Sequence, residues 1–306
     1  MDGAKTFYAK WLDVAPYQDI IYNLDGGTIS SDAITKYIPG EEYQLLNPKK
    51  SGYIFKGYYD NKNFEGEKIT YIDKNKTGKL ELYAKFELLD FTKINISIIG
   101  DSISTYEGYV PSGYPSYYPQ NFLDVNSVEK TWWHQVLTHF KTNLCVNSSY
   151  SGSAVSNTSS PTTISALDDN RIEGLQKDGI MPDIIIIYIG VNDCKVGYSS
   201  SSFKKDYELL INKLQNKYSN TQLFVCTFPY SKFSSNTCFD LRIEYCDIVR
   251  ELAIKYELGL IEIDKTITKD TYIRNMANAL HPNADGMKLI ADTAIDAITK
   301  FYYDNE

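Results

Sequence analysis

Over the first third of the chain, apolar and polar residues alternate in short runs, which then give way to a longer rhythm. Ile20-Ile21-Tyr22-Asn23-Leu24 alternates before the Asp25-Gly26-Gly27 turn. Tyr53-Ile54-Phe55-Lys56-Gly57-Tyr58-Tyr59 reads as a second strand pair ending in Asp60-Asn61, and Leu82-Tyr83-Ala84-Lys85-Phe86 alternates again. Period-two patterning bounded by turn residues predicts short strands. From Lys93 onward, strands alternate with segments of helical spacing. Strands are predicted at 94–99, 144–147, 183–189, 222–227 and 258–263, and helices at 130–141, 202–217, 240–256 and 284–302. The run at 183–189 is almost continuously apolar, as expected of a central parallel strand covered on both faces. Five strands with crossover helices predict an α/β fold, a three-layer α/β/α sandwich on a five-stranded parallel sheet, with functional groups at the strand carboxyl ends. The boundary between the two patterns falls at residues 88–92.

Phe7-Tyr8-Ala9-Lys10-Trp11 recurs 75 residues later as Leu82-Tyr83-Ala84-Lys85-Phe86. The chain is therefore expected to open with the tail of one repeat (1–11), followed by an intact copy (12–88) and a second domain (93–306). The segments Tyr22-Asn23-Leu24-Asp25-Gly26-Gly27, Gly52-Tyr53-Ile54-Phe55-Lys56-Gly57-Tyr58-Tyr59 and Leu82-Tyr83-Ala84-Lys85-Phe86 occur in the order that resembles the Listeria-Bacteroides repeat of bacterial surface proteins, a β-grasp-like module found in tandem. The resemblance implies an extracellular or cell-surface protein in which this module is a spacer or adhesion unit.

Composition narrows the function classes. The 306 residues carry a net charge of −8 with a pI near 5.1. No block of clustered Lys and Arg is present to bind nucleic acid or an anionic membrane. No stretch approaches the roughly 18 apolar residues of a membrane span. Met1-Asp2-Gly3 opens no signal segment, so a secretion or anchoring signal is expected to lie outside these residues. Cys145, Cys194, Cys226, Cys238 and Cys246 have neither disulfide-scaffold nor metal-ligand spacing; they read as free or incidental thiols, with no metal or cofactor implied. Tyrosine is in surplus, with 26 residues against 13 Phe.

Four short motifs could carry chemistry. The first strand of the second domain runs into Gly100-Asp101-Ser102, where a serine just past a strand end can present its hydroxyl with its own N–H free. Ser151-Gly152-Ser153 follows the next strand, and glycine there lets a backbone N–H approach a substrate oxygen. Gly190-Val191-Asn192-Asp193 closes the long apolar strand and offers an amide donor to a developing oxyanion. Of the three histidines, His134 and His139 fit an amphipathic helix beside Trp132 and Trp133. His281 precedes Pro282 in an irregular segment, where a general base could reach substrate.

These elements, in this order, resemble the SGNH (GDSL-type) hydrolases, a flavodoxin-like fold. The resemblance implies that Ser102 is the nucleophile and His281 the base. It also implies an oxyanion hole of the Ser102 N–H, the Gly152 N–H and the Asn192 side chain. One position departs from the family, which usually has an aspartate where this chain has Asn278, three residues before His281. Three explanations are open: Asn278 orients the imidazole more weakly, a backbone carbonyl or a carboxylate such as Asp285 does so, or the enzyme is impaired. Asp101 and Asp193 are expected to brace their loops.

Residues 106–119 are rich in Tyr, Pro and Gly and leave directly from the candidate nucleophile, which predicts a functional loop. Tyr106, Tyr109, Tyr114, Tyr117 and Tyr118 are its candidate substrate contacts. The expected activity is a serine esterase acting through an acyl-enzyme on an acylated glycan or small ester, most simply deacetylation of a carbohydrate. The alternatives are a glycan-binding surface protein with an impaired hydrolase fold, or a lipase or short-chain esterase.

Overall fold

The computed structural model describes residues 17–120, 123–156, 164–232 and 236–303, with 195 and 236–241 described by backbone alone. The expected repeat tail at 1–11 lies outside these residues. The chain forms two compact units, residues 1–88 and 89–306.

In the first unit, β1 (Gln18–Asn23), β2 (Lys36–Tyr37), β4 (Tyr53–Tyr59) and β6 (Leu80–Leu88) form one sheet in the order β2-β1-β6-β4, while β3 (Tyr43–Gln44) pairs with β5 (Tyr71–Ile72). The central pair β1 and β6 is parallel, and both outer pairings are antiparallel. Residues 53–59, expected to form two strands, make a single one whose register shifts between Phe55 and Gly57. Gly57 has φ +125°, a conformation that glycine adopts without strain and that lets the strand bend. Ile20, Tyr37, Leu45, Tyr58, Ile72, Leu80, Leu82 and Ala84 form the core. The hydroxyls of Tyr22, Tyr37 and Tyr58 donate to the carbonyls of Ile34 (2.9 Å), Gly78 (2.6 Å) and Leu46 (3.0 Å).

The second unit is the α/β sandwich. Its strands are β7 (Asn95–Gly100), β8 (Asn143–Ser149), β9 (Ile184–Tyr188), β10 (Gln222–Cys226) and β11 (Gly259–Ile261), all parallel, in the order β11-β10-β9-β7-β8. Every residue of β9 is buried, because it is the middle strand with helices over both faces. On one side α1 (Trp132–Phe140) packs on α8 (Ala284–Tyr303). On the other α4 (Ser200–Lys217) packs on α5 (Asn236–Lys255) and touches α2 (Asp169–Glu173), while α3 (Val191–Lys195) also meets α5. Two single turns, α6 (Ile263–Thr266) and α7 (Tyr272–Asn275), precede the last helix. The strand expected at 258–263 is shorter than its apolar pattern suggested, because Ile263 already opens α6.

The sheet order reverses between β7 and β9, so the connections leaving their paired carboxyl ends part to opposite faces and leave the crevice in which open α/β sheets place ligands. Cys145, Cys226 and Cys246 are free and buried, but Cys194 is disulfide-bonded, which corrects the expectation of incidental thiols at that position. Irregular spacing hid the bond, since a disulfide depends on proximity in the fold and not along the chain.

Candidate active site

The candidate residues come from the ends of three neighbouring strands and from one loop. Ser102 follows β7 and opens a single 3₁₀ turn, Ser102–Ser104, capped by the Asp101 carboxylate, which accepts from the Ile103 N–H at 2.9 Å. The loop 150–156 follows β8, and Asn192 lies in α3 just beyond β9. Because β8, β7 and β9 are adjacent in the sheet, three segments far apart in sequence meet at one edge.

His281 arrives from a narrow loop closed by a Met276–Pro282 β-bridge and by an Ala277 N–H to His281 O bond of 2.9 Å. Its Nε2 lies 2.9 Å from Ser102 Oγ, and its Nδ1 lies 3.2 Å from Asn278 Oδ1. That oxygen also accepts from the backbone N–H groups of Leu280 (2.9 Å) and His281 (2.8 Å). An atom receiving two N–H donors is the amide oxygen, so Nδ1 carries the ring proton and Nε2 is left to accept from the serine hydroxyl. Asp285, the carboxylate considered for this position, is exposed in the first turn of α8 and makes no hydrogen bond to the ring.

Two backbone donors flank the serine. Neither the Ser102 N–H nor the Gly152 N–H is hydrogen-bonded among the described residues. Gly152 has φ +83° with open space where a Cβ would project, so glycine is needed there for conformation. Gly190 is needed for a second reason as well: at φ +143° a Cβ would lie 2.5 Å from the Phe228 ring. The side chain of Asn192 is 7% exposed, and its Nδ2 donates to Ser153 O at 2.8 Å, which leaves one of its two N–H bonds for another acceptor.

Two carboxylates and a guanidinium hold these loops. Asp193 accepts from the N–H groups of Val155 and Ser156, both at 2.9 Å, and burial pushes its carboxyl up. Burial also pushes the Asp101 carboxyl up, to about 7, against the opposing Ile103 N–H and the Arg171 charge. Arg171, fully buried in α2, donates to Ser148 O (3.0 and 2.7 Å), Gly100 O (2.5 Å), Ser153 Oγ (2.5 Å) and Ile164 O (3.2 Å). It thereby ties the β7 end to the β8 end and to the Gly152 loop. Burial pulls its guanidinium down, to about 10, which still leaves it a cation at neutral pH. Sequence reasoning missed this residue, because Asp168-Asp169-Asn170-Arg171 looks like a solvated charged face.

The tyrosine loop folds back on the protein. Glu107 N donates to Tyr118 O, Ser151 N to Pro115 O and Tyr117 N to Thr105 Oγ1. Tyr118 is wholly buried, with its hydroxyl on Pro282 O at 2.8 Å. Tyr117 stacks on His281, with centroids 3.5 Å apart and planes within 7°. Tyr114 packs edge-on against Tyr150, and Tyr106 against Tyr109, which is 43% exposed beside Trp133. His134 and His139 lie in α1, where the His134 ring packs edge-on against Trp133 and the His139 ring against Phe140.

Comparison with known proteins fits this geometry. The family model for GDSL-like lipase/acylhydrolase matches residues 94–298, and that of the Listeria-Bacteroides repeat domain matches residues 19–85. A multidomain esterase from Ruminococcus flavefaciens is 30% identical over 109 residues, or 34% of this chain; the match spans only 14% of that protein's length. Among solved structures, a GDSL-like lipase from Bacteroides ovatus is 28% identical with a TM-score of 0.51, covering 68% of this chain and 98% of its own. One from Bacteroides uniformis is 25% identical with a TM-score of 0.52, covering 68% and 96%. Among the described residues, no helix is long and apolar enough to cross a membrane, and no group of three or more His, Cys, Asp or Glu could hold a metal ion.

Proposed function

The chain belongs to the GDSL-like lipase/acylhydrolase family and is a hydrolase, and from that premise we propose that Ser102 is the nucleophile of an esterase that removes a small acyl group from a carbohydrate. The observation that carries the reading is the continuous line Ser102 Oγ, His281 Nε2, His281 Nδ1, Asn278 Oδ1. Ser102 Oγ attacks the ester carbonyl as its proton passes to Nε2. The carbonyl oxygen takes up the electron pair and is met by the N–H groups of Ser102 and Gly152 and the remaining Asn192 N–H. As the tetrahedral intermediate collapses, the C–O bond to the sugar breaks and His281 returns the proton to the leaving oxygen. Water, deprotonated by His281, then hydrolyses the acyl-enzyme by the same steps in reverse. Asn278 fixes the tautomer, and Arg171, Asp101 and Asp193 position the loops without touching substrate.

The carbohydrate assignment rests on two supports: the exposed Tyr109 on the loop that leaves Ser102, which could stack on a sugar face, and an acidic surface ill suited to bulk lipid. The repeat supports display outside a bacterial cell or on its surface.

The test is hydrolysis of a short-chain aryl ester and of a panel of acetylated polysaccharides by the parent and by Ser102→Ala. The variant is expected to lose at least about a thousandfold in kcat with an unchanged melting temperature. Equal activity in both would sink the esterase reading. Aryl ester turnover without release of acetate from any glycan would sink the substrate assignment alone. Asn278→Asp should keep activity within about tenfold or raise it, because a carboxylate would stabilise the imidazolium.

A further inference from the structure

Asn278 is a neutral partner for the base, and the site's stacked tyrosine touches both of them. We propose that Tyr117 is a positioning residue for His281: its hydroxyl anchors the Asn278 amide beside the imidazole, and its ring supports the imidazolium. The proposal rests on the esterase reading and extends it.

The lock follows from hydrogen-bond arithmetic. Asn278 Nδ2 donates to the Tyr117 hydroxyl at 2.7 Å, while Oδ1 receives the N–H groups of Leu280 and His281 and faces Nδ1. An amide rotated by half a turn would set its NH₂ against those donors and leave its oxygen on the phenol. The phenol hydroxyl can donate or accept, so the two backbone N–H groups choose the orientation, and Tyr117, accepting from Nδ2, holds the chosen amide in place.

The ring argument concerns charge. Two neutral aromatic rings avoid full face-to-face stacking, because both faces carry negative charge and repel. Tyr117 and His281 nonetheless stack with planes within 7° and centroids 3.5 Å apart. That geometry becomes favourable when the imidazole is a cation, since the phenol face attracts positive charge. The interaction is therefore stronger in the transition state, when His281 holds the serine proton, than before it. An interaction that strengthens there raises kcat.

Tyr117 is itself held from both sides. Its N–H donates to Thr105 Oγ1 at 2.8 Å, and that hydroxyl donates to Ser102 O at 2.9 Å. The adjacent Tyr118 ring meets Tyr117 edge-on at 4.9 Å and reaches Pro282 O beside the base. The residue thus bridges the nucleophile's turn and the base's loop, with one face on His281 and its hydroxyl on Asn278. The expectation that it contacts substrate gives way here to a role behind the base.

Steady-state kinetics on a p-nitrophenyl ester distinguish the two roles in the full chain. Tyr117→Leu should lower kcat about 30-fold with KM within threefold, and Tyr117→Phe, which keeps the ring, about fivefold. Adding Asn278→Asp to Tyr117→Leu should restore at least tenfold, because a carboxylate brings its own charge to the imidazolium. A rise in KM at unchanged kcat would make Tyr117 a substrate contact and overturn the proposal, as would a folded double variant that recovers nothing. Should Tyr117→Leu unfold, Tyr117→Phe decides: it must lower kcat with KM unchanged, and a rise in KM alone overturns the proposal. Failure of the esterase reading itself would look different, with Ser102→Ala as active as the parent.

Discussion

The two units tie down their loop carbonyls by partly different means. In the repeat, tyrosine does it: three hydroxyls reach the carbonyls of Ile34, Gly78 and Leu46 across a small sheet without helices among its described residues. In the hydrolase unit tyrosines do so as well, Tyr118 reaching Pro282 O and Tyr218 reaching Ile172 O, but there one buried guanidinium also gathers four acceptors around the strand ends, and Tyr188, Tyr207 and Tyr302 are buried with no hydroxyl partner among the described residues. A thin module leaves its loops within a phenol's reach of its core. A three-layer domain has apolar volume for tyrosine rings to fill, and it needs a long, multidentate donor only where several loops must be fixed together.

Breaking the guanidinium should have the largest effect. Arg171→Ala takes this donor from the carbonyls of Ser148 and Ile164 and leaves Gly100 O with the Tyr150 N–H alone, at about 1–3 kcal/mol for each group left unsatisfied. It should lower the hydrolase transition in calorimetry by at least about 3 kcal/mol and abolish activity, while the repeat transition stays in place. A shift below about 1 kcal/mol would show that the loops hold without it. Tyr58→Phe should cost about 1 kcal/mol in the repeat alone, for one lost hydrogen bond. Tyr207→Phe should be neutral or slightly stabilising in denaturant titration, since it removes a buried hydroxyl that has no partner. Equal losses from both would mean that the two units do not use tyrosine differently.

The subtlest difference is in pH dependence. Among the described residues no carboxyl is buried in the repeat, whereas Asp101 is buried with its carboxyl pushed up to about 7 from an ordinary 3.8. Between those values the folded state binds more protons than the unfolded one, so stability from this group is present at pH 4 and declines as pH rises toward 7. Asp101→Asn should flatten that slope in the hydrolase melting temperature, measured from pH 4 to 8, and leave the repeat's unchanged.

Much of the fold was legible because it depends on local periodicity. The unbroken apolar run before Gly190 could only be a strand covered on both faces, and it became the middle of the sheet. The repeat strands at 20–24 and 82–86 were equally plain, although Gly57 turned an expected pair at 53–59 into one bent strand. The four chemical motifs were legible because each sits at the end of a recognisable strand or just before a helix. Arg171 was not, since its surroundings in sequence are those of a surface helix.

By itself, then, the sequence determined the two-unit grammar, the parallel sheet and the residue types at its carboxyl edge, all of which follow from spacing along the chain. Only the tertiary structure decided what stands beside what. It placed Asn278, and not Asp285, against the imidazole, and it stacked Tyr117 on the ring of His281. It also joined Cys194 in a disulfide. These depend on which loops a closed, densely packed crevice brings within 3 Å of one another, and spacing along a chain does not encode that distance.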